Sequence, residues 1–109
     1  MRLADLVRLE GYELIIDDNA AEHPDILGTP QRDALCAQAC KGNVIRMRSG
    51  LRERDAWYAV SHEIAEDRCD FSGHTQLMFR EQLNILARWC TRLATALGEA
   101  NHALEEAKL

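Results

Sequence analysis

The sequence predicts a small α+β domain. A short sheet of about three strands, or a hairpin, packs against a helix over 51–69 and a long C-terminal helix, with a further helix at the N-terminus. Three observations predict it. Alternating runs of strand character occur only in the first half of the chain. Apolar residues recur at threes and fours between Ala56 and Ile64. A heptad-spaced stripe starts at Phe79 and persists to Leu104. With 109 residues the chain is one domain, 1–109, long enough to bury a core of its own.

Each element follows from its residues. Residues 3–10 are helix formers, with Leu3, Leu6 and Leu9 roughly on one side, and Gly11 supplies the stop. The run from Tyr12 to Asp18 reads as a strand, with Leu14 and Ile16 on one face and Ile15 on the other. From Asp17 to about Arg32 the chain is punctuated by Asn19, His23-Pro24, Gly28 and Thr29-Pro30, which reads as a long loop. Residues 34–40 and 43–48 flank Lys41-Gly42 as a hairpin, although the Ala-rich first run also suits a helical turn. The second run alternates, Val44, Arg46 and Arg48 against Ile45 and Met47. The helix over 51–69 turns Ala56, Trp57, Val60 and Ile64 inward and leaves Arg52, Glu53 and Arg54 outside. After the break at 70–73 the last helix begins near Thr75. Its stripe of Phe79, Leu83, Leu86 and Cys90 is expected to be buried against Trp57, Val60 and Ile64. The stripe continues through Leu93, Leu97, Ala100 and Leu104. Beyond Gly98 it outruns a domain this small, and a homodimer through the distal helix is expected there. Trp57 and Trp89 are expected to face each other across the two long helices.

Composition narrows the function. Apolar residues at 47% and charged residues at 28% are globular proportions and exclude wholesale disorder. A net charge of −5 opposes binding to a phosphate backbone, so no direct nucleic-acid contact is expected. Arg46, Arg48, Arg52 and Arg54 are interrupted by Glu53 and Asp55 and read as a solvated face. No apolar run reaches the ~18 residues of a membrane span, and the N-terminus carries acids where a signal peptide is apolar. The expectation is a cytoplasmic protein with reduced cysteines. Cys36 and Cys40 lack the matched second pair of a zinc finger.

The stretch AWYAVSHEIAEDRC, residues 56–69, carries the chemistry. On a helix, His62 and Glu66 are four apart and project from one face, about one turn from each other. Glu63 sits about 100° round. Two ligands one turn apart, with a carboxylate beside the first, form the pattern that holds zinc and acts on its bound water. The common form is HExxH, and here the fifth position is Glu66. An amphipathic helix with a His and two Glu on its wet face has the same five letters. Cys69, seven after His62, lies on the same stripe but about 10 Å along the axis, which favours a structural thiol. His74 follows Gly73 in the turn between the long helices and reads as an exposed turn histidine.

The order of helix, strand, long loop and hairpin, then RxxxAWYAVSHEIAE, then a helix opening REQLNILA, resembles the ImmA/IrrE family of zinc metallopeptidases. The resemblance spans roughly residues 3–97. The later helix matches at Glu81, Asn84 and Ala87, with Leu83 where Ala is common. The resemblance implies a zincin-like domain holding one zinc per chain. His62 is then the first ligand, Glu63 the general base, Glu66 the stand-in for the second His, and Glu81 the third ligand. Their donors are expected within about 4–5 Å of one point. Implied substrates are intracellular regulatory proteins such as transcriptional repressors, in a phage or mobile-element setting. Two departures stand against the family pattern. Glu66 makes the site harder and more negative, and so weakens the metal's Lewis acidity. Residues 88–109 contain no proline, so the family's Met-Pro element is absent. The alternative is a non-catalytic interaction domain, an inhibitor or regulator, that keeps the scaffold without the chemistry.

Overall fold

The computed structural model describes residues 1–16, 37–40, 42–69 and 75–107. The expected loop over 17–32, Cys36, the Cys40 side chain and His74 lie outside the described residues.

The fold is α+β. The elements are α1 (Leu3–Leu9), β1 (Glu13–Ile16), β2 (Ala37–Cys40), β3 (Val44–Met47), α2 (Glu53–Arg68) and α3 (Gln76–Ala107). Asp5 accepts the Arg2 N–H at 2.9 Å and opens α1. Gly11, at φ +93°, closes it, with its N–H on Arg8 O and that of Tyr12 on Val7 O. This pair of bonds is the Schellman stop, which needs a left-handed residue at Gly11. Leu6 and Val7 are fully buried, whereas Leu9 is half exposed, so the inner side of α1 is rotated from the Leu3–Leu6–Leu9 line.

The strands form one sheet in the order β1-β3-β2, with β1 parallel and β2 antiparallel to β3. Three residues, 41–43, connect β2 to β3, since Cys40 pairs with Val44, and Gly42 and Asn43 both take the positive φ that such short hairpin loops need. Over 37–40 the Ala-rich run is a strand. Its small side chains suit that position, since Ala37 and Ala39 oppose Met47 and Ile45 on the face that α2 covers.

The long helices enclose the rest of the core. Glu53 and Asp55 in the first turn of α2 and Arg68 in its last suit the helix dipole. Thr75 caps α3 by accepting the Met78 N–H at 3.2 Å. Trp57 and Trp89 meet edge to face at 5.7 Å, as expected. The stripe of α3 differs from expectation. Its buried residues are Met78, Gln82, Ile85 and Trp89, whereas Phe79 is 40% exposed and Leu83 65%. Cys90 is exposed and Leu86 half-buried. The face on α2 is thus one residue, about 100°, from the heptad line. Burying the indole of Trp89 removes more apolar surface than burying Cys90, and the rotation that achieves it takes Gln82 inward. Among the described residues no helix is long and apolar enough to cross a membrane.

Candidate metal centre

The middle of α2 presents its motif to two neighbours, β2 on one side and α3 on the other. His62 is held in an aromatic slot. The Tyr58 ring stacks on it at 5.9 Å and 19°, and Phe79 leans in at 6.0 Å. One turn on, Glu66 brings Oε1 to 3.0 Å from His62 Nε2. Both side chains are largely withdrawn from solvent, at 15% and 18% exposed.

The other ring nitrogen faces a residue that the sequence did not single out. His62 Nδ1 lies 3.1 Å from Oε1 of Gln82, which is only 3% exposed. The amide has one orientation here, because Nε2 of Gln82 donates to Tyr58 O at 3.1 Å and to Ser61 Oγ at 3.2 Å. A carbonyl oxygen only accepts, so the amide nitrogen must face Tyr58 O and the amide oxygen must face His62. Nδ1 therefore carries the proton. In the neutral ring the lone pair then sits on Nε2, pointing at the Glu66 carboxylate. Two acceptors 3.0 Å apart repel unless a cation joins them, and that cation is either a proton on Nε2 or a metal ion. Donation of the second ring N–H to a carbonyl is also the arrangement that fixes a metal-binding histidine.

Glu63 faces the sheet. Its Oε2 accepts the Ala39 N–H of edge strand β2 at 3.3 Å. Burial pushes its carboxyl up, the charge of Glu66 adds to this, and the Ala39 N–H opposes them, leaving it at about 7. It therefore exchanges its proton near neutrality, the property a general base needs.

Glu81 does not join this group. Its Oε1 accepts from Arg68 Nη1 at 3.0 Å. Arg68 also bonds Glu10 Oε1 at 2.9 Å and Glu10 O at 2.8 Å, and Arg88 donates twice to the same carboxylate. Because 78, 82, 85 and 89 form the inner face of α3, the helix brings position 82 over His62 and turns position 81 toward Arg68. The expected convergence of His62, Glu66 and Glu81 is not present. Among the described residues no group of three or more His, Cys, Asp or Glu could hold a metal ion. His62 and Glu66 suit a divalent cation as a pair, and the third donor of the family pattern is missing from the described residues. Cys69 packs against the core at the end of α2, as a structural thiol. The sequence did carry a signal for Gln82. It continues the inner face at four after Met78 and seven before Trp89, a polar residue on an apolar line. Comparisons with protein-family models, with curated proteins and with solved structures gave no match for this chain.

Proposed function

We propose that this chain is an ImmA/IrrE-like, zincin-like peptidase domain of the cytoplasm with a reduced ligand set, acting on an intracellular regulatory protein such as a transcriptional repressor. The observation that carries the reading is the His62–Glu66 pair, with Nδ1 pinned by Gln82 and Nε2 3.0 Å from a carboxylate oxygen. His62 and Glu66 are the proposed zinc ligands. A zinc ion held there would supply Lewis acidity to a carbonyl and to water. Glu63 is the proposed general base, since its carboxyl is poised at about 7 and lies beside the edge of the sheet.

A second reading is a non-catalytic interaction domain on the same scaffold. It is favoured by Glu81, whose carboxylate is bonded to Arg68 and leaves the centre two donors among the described residues.

Titrating zinc calorimetrically into chelator-treated protein separates the two. The peptidase reading expects about one zinc per chain. His62→Ala and Glu66→Ala should weaken binding at least about tenfold. Glu66→His should hold or tighten it, while Glu63→Gln should bind zinc and lose proteolysis. No binding by the wild type or by Glu66→His retires the peptidase reading and leaves the interaction domain.

A further inference from the structure

The stripe with heptad spacing on α3 is left over once the core is built. With Met78, Gln82, Ile85 and Trp89 turned inward, Leu83, Leu97 and Leu104 each remain more than half exposed. The middle of the stripe forms one wall of an open groove of about 680 Å³, mostly apolar but with Glu53, Arg54 and Asp55 also in its lining. Leu86, Cys90 and Leu93 line it on α3, and Trp57 and Tyr58 on α2. Among the described residues nothing covers the distal half, and every residue from Leu97 to Ala107 is exposed. α3 has 32 residues in a molecule measuring 60 × 29 × 23 Å. At 1.5 Å per residue the helix is about 48 Å long and outruns the body.

We propose that α3 pairs antiparallel with α3 of a second copy, so that Leu93 and Leu97 of each copy enter the other's groove and the rest of each stripe covers the other's. One register matches the whole stripe. It sets Phe79 opposite Leu104 of the second copy, Leu83 opposite Ala100, Leu86 opposite Leu97 and Cys90 opposite Leu93. Ala87 and Ala94 flank this seam and let the two backbones approach closely. Charge selects the direction. Residues 80–92 carry Arg80, Arg88 and Arg92 against one acid, Glu81, whereas 93–107 carry Glu99, Glu105 and Glu106 with no Lys or Arg. Antiparallel pairing brings the basic half over the acidic half, and parallel pairing stacks like on like. The pair is closed and self-complementary, as a two-fold interface must be.

The size is adequate for a specific but modest dimer. A seam of about 38 Å and a helix about 10 Å wide cover roughly 400 Å² on each copy. Trp57 and Tyr58 add the second groove wall, taking the total toward the ~1,000 Å² of the smallest specific interfaces. None of the seam residues is a proposed zinc ligand, so the pairing stands or falls apart from the metal reading.

Sedimentation of the full chain between about 1 and about 100 μM tests it. The wild type should shift from the mass of one chain to that of two. Leu97→Glu should weaken the dimer at least about tenfold. Leu97 is 63% exposed in the single copy, so the variant keeps its circular dichroism spectrum and melting temperature at low concentration. Direction is read by oxidising the double variant Leu83→Cys, Ala100→Cys. Its two thiols are about 25 Å apart along one helix and cannot join within a chain. Antiparallel pairing links 83 to 100 between copies. A single-chain mass at about 100 μM, a dimer indifferent to Leu97→Glu, or 83-to-83 links would each overturn the proposal.

Discussion

Replacing Glu63 by Gln should stabilise the protein above neutral pH and leave it unchanged near pH ~4. In the folded chain, burial and then the charge of Glu66 push the Glu63 carboxyl from 4.5 up to about 7. In the unfolded chain it returns to its ordinary value. Between these two values the native state holds a proton that the unfolded state has released, so stability falls as pH rises through this window. At 1.36 kcal/mol per pH unit, the loss is about 3 kcal/mol by pH ~8. Gln cannot ionise, yet its amide oxygen can still accept the Ala39 N–H that Glu63 accepts at 3.3 Å. The variant should therefore be more stable at pH ~8 by up to about 3 kcal/mol, or roughly 10 °C in Tm for a domain of this size. At pH ~4 the two proteins should agree within about 0.5 kcal/mol. Urea unfolding in chelator between these pH values measures the difference, and the four histidines, common to both chains, cancel. Parallel pH profiles, or a wild type that gains on the variant as pH rises, would refute the reasoning.

Two further outcomes follow from the same geometry. Arg68→Ala should cost about 2 kcal/mol in urea unfolding, because it removes charged hydrogen bonds from Glu10, whose side chain is only 4% exposed. Burial raises the Glu10 carboxyl, but the bonds from Arg88 and Arg68 outweigh it and hold it below the ordinary range. The stability this gives is present above pH ~4.5 and lost as pH falls through the lowered value, so Arg68→Ala should lose less between pH ~5 and ~3 than the wild type. Ile85→Ala should cost about 2–5 kcal/mol, and Leu83→Ala, measured below micromolar concentration, within about 0.5 kcal/mol. The order of these two tests which stripe of α3 faces α2, since Ile85 is fully buried and Leu83 is 65% exposed.

The elements were legible because each is a local matter. The Gly11 stop, the Gly42-Asn43 turn and the Thr75 cap follow from a few neighbouring residues, and all three stand where the sequence puts an element end. The i,i+4 approach of His62 and Glu66 was equally legible, because the helix alone determines it. Gln82 was not. A polar residue reads as surface, and its place in the core depends on three partners, His62, Tyr58 O and Ser61 Oγ, that belong to another helix.

By itself the sequence determined the order of the elements, the kind of each but the Ala-rich run before Lys41-Gly42, and the two donors that share one face of α2. Those properties repeat every turn or every second residue and need no distant contact. Only the tertiary structure decided the rotation of α3 about its own axis. Two apolar lines on that helix, one through Leu83 and one through Ile85, lie about 100° apart, and periodicity does not rank them. Packing ranks them, by burying Trp89 against Trp57 and giving Gln82 three partners. The same rotation sends Glu81 to Arg68, takes Gln82 to His62 and leaves Leu83, Leu97 and Leu104 exposed.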